Sequence, residues 1–452
     1  MYGKCSFPYC IRYRQKRIEN VKKADSASIL TEFVSDKVVP DKDGYGFAVD
    51  IGTTTLAVYL YDIGAAKALS VKTAINPQAL CGSDVLSRIS YCEKYENGLK
   101  DLQAAVIKAI DELFNEACRS ARVAYSDMKY AVISGNTVML HIAVGLSPVS
   151  MGKYPFKAQS LFGISYTGAE LGFSNKSLEI YMSPCMAAFV GGDISSAVLA
   201  SRMTTKCETS LLMDLGTNGE LALFDKGRLF VTSAPAGPAF EGASISCGMA
   251  SVNGAISEVL PFDGDIELKT IGDIKPVGIC GSGLIDAVSL LLKTGVIDRT
   301  GLITCPDDIS DKMKTCIADD GETYRVQLSE DVFINQKDIR ELQNAKAAVA
   351  AGVECLLEKA GINISNPDHI YLAGGFGNAV RISSAVDIGL IPADIAEKTV
   401  SIGNGSAAGA SMMLLNDDCK REAGNIAGKA EFVQIGGDDF FAKKFMENIN
   451  FP

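Results

Sequence analysis

The chain has no tryptophan and only two histidines, His141 and His369, in 452 residues. So few imidazoles make a zinc site unexpected. Its 13 cysteines are an odd number, scattered singly, and none stands in a Cys-x-x-Cys pair. That usage fits buried thiols in a reducing compartment, not a disulfide framework. No apolar run reaches the roughly 18 residues of a membrane span, and Met1 to Lys23 lacks the apolar stretch of a secretory signal, so a cytoplasmic protein is expected. The net charge of −11 is not shared evenly. Residues 1–23 hold seven Lys/Arg against the single Glu19, which leaves an acidic body that argues against broad nucleic-acid binding. The basic arm suits either an acidic partner or, as the preferred reading, a solvated terminus.

What remains is globular: 47% hydrophobic and 21% charged residues, enough for two domains. Residues 1–44 read as a leader ending in Asp41-Lys-Asp-Gly44. The apolar run Gly46–Asp50 then enters a Gly/Thr cluster, and Leu56–Tyr61 returns as the second strand of a hairpin. Residues 99–118 place Leu99, Leu102, Val106, Ile110, Leu113 and Phe114 at helical spacing, a face made for a sheet. Lys129–Ile133 reads as a strand delivering Asn136 and Thr137, and 186–200 as a helix carrying Gly191, Gly192 and Asp193. The pattern then restarts: Leu211–Asp214, a turn through Gly219, the return Glu220–Phe224, and a third strand Arg228–Ser233. A long helix over Lys337–Ala360 stops at Gly361. Its successor, the strand Ile370–Ala373, runs into Gly374-Gly375-Phe376-Gly377. Strand–turn–strand units alternating with helices predict an α/β fold, and the wide spacing of the two Asp-apolar-Gly-Thr turns predicts two similar lobes, 45–206 and 207–452.

These turns carry the chemistry. In Asp50-Ile-Gly52-Thr53-Thr54-Thr55, Gly52 lets the backbone approach a phosphate, and the three threonines add hydroxyl donors. A carboxylate repels phosphate, so Asp50 suits Mg²⁺, held through water, or the orientation of an attacking water. Asp214-Leu-Gly216-Thr217-Asn218-Gly219-Glu220 repeats this logic, with an amide replacing one hydroxyl. Asp193 is read as a third acid at the cleft, against the simpler role of a helix-start carboxylate. Gly281-Ser282-Gly283 precedes a helical stretch, Ile285–Leu292, whose N-terminus suits a phosphate or ribose. Glu241, in Ala236-Gly-Pro-Ala-Phe-Glu-Gly242, stands between a cleft role and packing. His141 and Cys280 read as core residues.

Two copies of the turn, each ending one strand and beginning another, resemble the phosphate hairpins of the superfamily of actin, sugar and acetate kinases and DnaK-type chaperones. That resemblance implies two ribonuclease-H-like lobes clamping ATP. It implies an adenosine motif at Leu372–Gly377 and connecting helices around Val190–Asp193 and Gly405–Gly409. A narrower set of strings is similar to the reductive activators of corrinoid proteins: Asn76-Pro-Gln78, Gly82–Ile89, Gly135–Met139, Ala236–Gly242, Gly278–Gly283, Gln343-Asn-Ala-Lys346 and Phe451-Pro452. The resemblance implies an ATPase that restores Co(II) corrinoids to Co(I) for a methyltransferase system, with a corrinoid protein as partner. A homodimer is compatible with it.

Many such activators carry a plant-type [2Fe-2S] domain, which needs Cys-x4-Cys-x2-Cys. Here Cys5 and Cys10 have the first spacing, but Tyr13 stands where the third ligand belongs and the next cysteine is Cys81. The expectation is therefore no iron–sulfur cluster in this chain, with the electron supplied by a separate ferredoxin or flavodoxin. Other readings are an activator of a 2-hydroxyacyl-CoA dehydratase, for which suitably close cysteines are lacking, a small-molecule kinase using Asp193 as base, and a non-catalytic nucleotide-binding module.

Overall fold

The computed structural model describes residue 34 and residues 38–452, apart from 263–264, 306, 308, 320, 322 and 375–379. The basic arm, Cys5, Cys10 and Tyr13 lie outside the described residues, as do Gly375, Phe376 and Gly377. Among the described residues no helix is long and apolar enough to cross a membrane.

The chain forms two six-stranded sheets of the same inner topology. The first contains β1 (Tyr45–Ile51), β2 (Thr55–Asp62), β3 (Lys67–Ile75), β4 (Met128–Gly135), β5 (Ile164–Thr167) and β6 (Glu179–Met182). The next strands are β7 (Ser210–Leu215), β8 (Gly219–Asp225) and β9 (Arg228–Ala234). Two small three-stranded sheets follow, from β10 (Ala255–Phe262), β11 (Asp265–Thr270) and β12 (Gly278–Ile279), and from β13 (Ile317–Asp319), β14 (Tyr324–Gln327) and β15 (Phe333–Asn335). The second large sheet is completed by β16 (His369–Ala373), β17 (Thr399–Gly403) and β18 (Ala430–Phe432).

The orders are β3-β2-β1-β4-β6-β5 and β17-β16-β7-β8-β9-β18. In each sheet the first three strands of the lobe are an antiparallel meander, and the strand bearing the aspartate also pairs in parallel with a later one: β1 with β4, β7 with β16.

Strand periodicity explains where the core goes. Phe47, Val49 and Ile51 face outward to a cluster with Leu102, Val106 and Ile110 of the Gly98–Ala121 helix. Their alternates Ala48, Ala57, Tyr59 and Tyr61 face inward. In the second sheet Leu211, Met213 and Leu215 face outward onto the Gly281–Lys293 and Gln336–Ala360 helices, while Leu212, Ala222 and Phe224 face inward. The two inner faces share one core with the helices Gly192–Ser201 and Gly405–Leu415, which lie between the sheets. Because successive side chains alternate, Asp50 follows Ala48 and Asp214 follows Leu212 onto these inner faces. The inner helices are rich in small residues for a steric reason: a Cβ built on Gly409 would lie 2.1 Å from the Ser196 carbonyl oxygen.

The structure corrects two sequence expectations. The helix begins at Gly192, not at 186, because residues 186–190 close a tight turn in which the amides of Met186 and Ala187 both donate to the Val190 carbonyl. Gly281–Gly283 is the first turn of a helix, not a loop before one, and it starts there because the Leu284 amide already bonds the Cys280 carbonyl.

Candidate active site

Both turns close tightly. The Gly52 amide donates to the Thr55 carbonyl at 3.0 Å, and the Gly216 amide to the Asn218 carbonyl at 3.0 Å. Gly374, at the end of β16, has φ +116°, and a Cβ there would stand 2.4 Å from the Leu215 carbonyl oxygen and 3.1 Å from Asp214 Oδ1. Only glycine lets that strand end pass so close to the second turn.

The two aspartates meet different surroundings. Asp50 is gripped from the opposite lobe: Asn404 Nδ2 donates to Oδ2 at 2.9 Å and Ser406 Oγ to Oδ1 at 2.7 Å. Asn404 is also the N-cap of the Gly405–Leu415 helix, accepting from the Ala407 amide at 2.8 Å. Behind Ser406 a line of hydroxyls continues through Ser134 to Ser196, each 3.0 Å from the next. Asp50 keeps part of its surface open to the cleft, yet its depth raises its carboxyl above the ordinary range, an effect the Ser406 and Asn404 bonds oppose.

For Asp214 everything pushes one way. Burial, then Asp193, Asp50 and Glu241, raise it to about 8. Asp193, in the first turn of its helix, accepts from the Ile194 amide at 2.8 Å and is raised to about 7, chiefly by burial. Glu220 stands opposite Asp214 across the β7–β8 ladder and is buried, with its pKa pushed well up by burial and by Asp193 and Asp214. Four acids therefore crowd one cleft and cannot all ionise cheaply without a cation.

Glu241 is the fifth carboxylate, and it spans the lobes. Its Oε2 accepts from Thr54 Oγ1 at 2.6 Å and from Thr217 Oγ1 at 2.7 Å, and its Oε1 accepts from the Thr217 amide at 3.1 Å. The first turn is also held from behind. Asn76 Nδ2 donates to the Gly52 carbonyl at 2.9 Å, and the fully buried Arg88 donates to the carbonyls of Thr53 at 2.5 Å and Gly82 at 3.0 Å. Burial lowers the Arg88 guanidinium to about 10. The strings Asn76–Gln78 and Gly82–Ile89 are thus the mounting of the first hairpin.

Other candidates are held by partners of their own. Ser282 donates to the Ser257 carbonyl at 2.9 Å, and Gly281 and Gly283 press against the carbonyls of Phe240 and Ile256, so this turn is packed into the lobe. Cys280 is buried, its thiol on the Ile256 carbonyl. His141 is wholly buried. Its Nε2 accepts from the Gln159 and Ser160 amides at 3.2 Å each, so Nδ1 donates to the Thr137 carbonyl at 2.7 Å. Gln343 and Lys346 hold the chain end through the Ile449 and Asn450 carbonyls. Asn136 caps the Val138 amide at 2.9 Å and leaves its buried Nδ2 without a partner.

Sequence reading did not find Asn404, Ser406, Ser134, Asn76 or Arg88 as parts of the site. Asn404 was accessible as a capping residue before a Gly-Ser helix start, but nothing local says that its amide reaches Asp50.

The donor set fits Mg²⁺ and a phosphate. Among the described residues no group of three or more His, Cys, Asp and Glu is arranged to hold a metal directly. Mg²⁺ commonly keeps several waters and takes one or two carboxylates plus phosphate oxygens, and the raised acids Asp50 and Asp214 suit that role. The hydroxyls of Thr54 and Thr217 converge between the two hairpins, and the buried Asn136 amide is left without a partner.

Two family models match the chain: the RACo middle region over residues 45–206, and the C-terminal domain of RACo, the ASKHA domain, over residues 208–452. The chain belongs to the RACo family. Within it, the chain is 34% identical over 426 residues to the corrinoid activation enzyme RamQ of Eubacterium limosum, covering 91% of this chain and 71% of that protein. It is 26% identical over 450 residues to the [Co(II) methylated amine-specific corrinoid protein] reductase of Methanosarcina barkeri, covering 90% of this chain and 77% of that one. Among solved structures it resembles a reductive activator for corrinoid, iron-sulfur protein, with a TM-score of 0.84 and 35% identity over 91% of this chain and 67% of that one. The ASKHA domain is a nucleotide-binding fold, in keeping with the lobes seen here.

Proposed function

We propose that this RACo-family chain is an ATPase that activates a corrinoid protein, coupling ATP binding and hydrolysis to the reduction of Co(II) corrinoid to Co(I), with the electron drawn from a separate ferredoxin or flavodoxin. The observation that carries this reading is that Glu241 bridges the two Asp-Gly-Thr turns, whose aspartates act on one another, in a chain whose two lobes match the RACo middle region and ASKHA domain. The names of its relatives supply the corrinoid partner.

The residues divide the work. Thr53, Thr54, Thr55, Thr217 and Asn218 offer hydroxyls and amides to phosphates from the two lobes, Gly52, Gly216 and Gly219 shape the turns, and Gly374 stands at the nucleoside. A Mg²⁺ bound through Asp50 and Asp214 would neutralise phosphate charge and relieve the crowding that raises these acids. Asp193, raised to about 7, is poised to take a proton from an attacking water near neutrality. Because Asn404 and Ser406 of one lobe hold Asp50 of the other, a change at the cleft is felt as a hinge movement between lobes. That movement would alter the surface presented to the corrinoid protein.

The test is ATP turnover, and the visible spectrum of a corrinoid protein from the same genome under a low-potential donor. Turnover stimulated by the corrinoid protein, with ATP-dependent appearance of Co(I), is expected. ATP hydrolysis that no corrinoid protein stimulates, with no ATP effect on the cobalt spectrum, would sink the reading.

A further inference from the structure

The Glu241 carboxylate sits where three donors converge, a hydroxyl from the first hairpin and a hydroxyl and an amide from the second. These are the kinds of group that two phosphate hairpins offer to an anion, and here a protein carboxylate holds them. One acceptor cannot share them with another anion in the same place. We propose that Glu241 is a resident substitute for phosphate: it latches the two hairpins together in the nucleotide-free protein, and the phosphates of ATP must displace it. The inference rests on the reading of this cleft as an ATP site.

Three further observations agree. Glu241 ends a short 3-10 turn, Pro238–Glu241, bounded by Gly237 at φ +75° and Gly242 at φ +79°. The backbone of this turn is held, with Ala239 and Phe240 buried and the Phe240 carbonyl against Gly281, so release needs only a rotation of the Glu241 side chain. Glu241 also draws on the field of Arg88, the buried cation behind Thr53, which favours a negative group at this point whether carboxylate or phosphate. Finally, Thr54 and Thr217 lie on different lobes, so the carboxylate is a cross-lobe tie. Its release frees the hairpins to regrip around a larger anion.

The latch has a measurable consequence. Competition from an internal anion weakens the apparent affinity for ATP, as any equilibrium that withholds the binding-competent state does. Glu241→Gln keeps the shape and an acceptor oxygen but removes the charge, so it should bind MgATP about tenfold more tightly than the parent chain. Glu241→Ala should do the same, and without nucleotide its radius of gyration should exceed the parent's. Binding is read by titration calorimetry on the full chain, with circular dichroism melts to confirm that both variants fold. Thr54→Val is the control: it removes a donor used by both anions, so ATP affinity should fall.

If the parent chain binds no MgATP, the ATP reading itself is wrong. If it binds and both Glu241 variants bind equally or more weakly, the latch is wrong. A variant that loses turnover at unchanged affinity would instead make Glu241 a group acting on the hydrolytic water, which also overturns the proposal.

Discussion

The two hairpins begin from nearly the same six residues and the same topology, yet their aspartates live under opposite conditions. Asp50 is bound by two donors from the facing lobe, and its hairpin is anchored from behind by Asn76 and Arg88. Asp214 lies among carboxylates that all raise it, and its turn is closed over by Gly374. The lesson is that a repeated motif fixes a backbone shape, whereas neighbours from distant parts of the chain set its electrostatics. The first turn is built as a positioned carboxylate. The second is built as one that prefers a cation or a proton.

The sharpest way to break this contrast is to neutralise each aspartate in turn. Asp50→Asn and Asp214→Asn should both cut ATP turnover by at least about a hundredfold, since each removes charge from the metal-facing side of the cleft. Their effects on the nucleotide-free protein should differ in sign. Asp214→Asn should raise the melting temperature by relieving a crowded acid, while Asp50→Asn should lower stability by about 1 kcal/mol, because its new amide group faces one of the two donors, Asn404 or Ser406, where an oxygen accepted. Equal shifts in the two variants would dismiss the asymmetry.

Next in size is the mounting of the first hairpin. Arg88→Ala should destabilise the chain by about 3 kcal/mol, leaving the Thr53 and Gly82 carbonyls without their buried donor, and should weaken ATP binding. Denaturant melts and calorimetry read both effects. Gly374→Ala probes the second hairpin alone: the close Leu215 carbonyl and the positive φ predict a loss of about 1–3 kcal/mol with reduced turnover.

The remaining effect is that of pH. Asp193 and Asp214 hold protons in the folded chain up to about 7 and about 8, but only to near 3.8 when unfolded. The folded state binds more protons between these values, so its stability falls as pH rises from about 4 to about 8 and then levels. The melting temperature of the nucleotide-free protein should therefore drop across that window, and the drop should be shallower in Asp214→Asn and with MgATP present. A slope that is the same in all three would contradict the assignment.

Much of the fold was legible because hairpins and amphipathic helices are local. The period-2 strands around Asp50 and Asp214 and the capped helix ending at Gly361 follow from residues a few positions apart. The helix start at Gly192 is not legible, because the apolar run 186–190 contains no local signal separating a turn from a first helical turn. The glycines of Gly281–Gly283 suggest a loop, whereas close packing on Phe240 and Ile256 is what demands them in a first helical turn.

By itself the sequence determined two Asp-Gly-Thr hairpins, each at the end of an apolar strand, because strand alternation and turn chemistry act over a handful of residues. Only the tertiary structure decided that Asn404 and Ser406 hold Asp50, that Arg88 stands behind Thr53, and that Glu241 joins Thr54 to Thr217. Those contacts bring together residues far apart in the chain, and their energies depend on burial and on the charges the fold gathers around them.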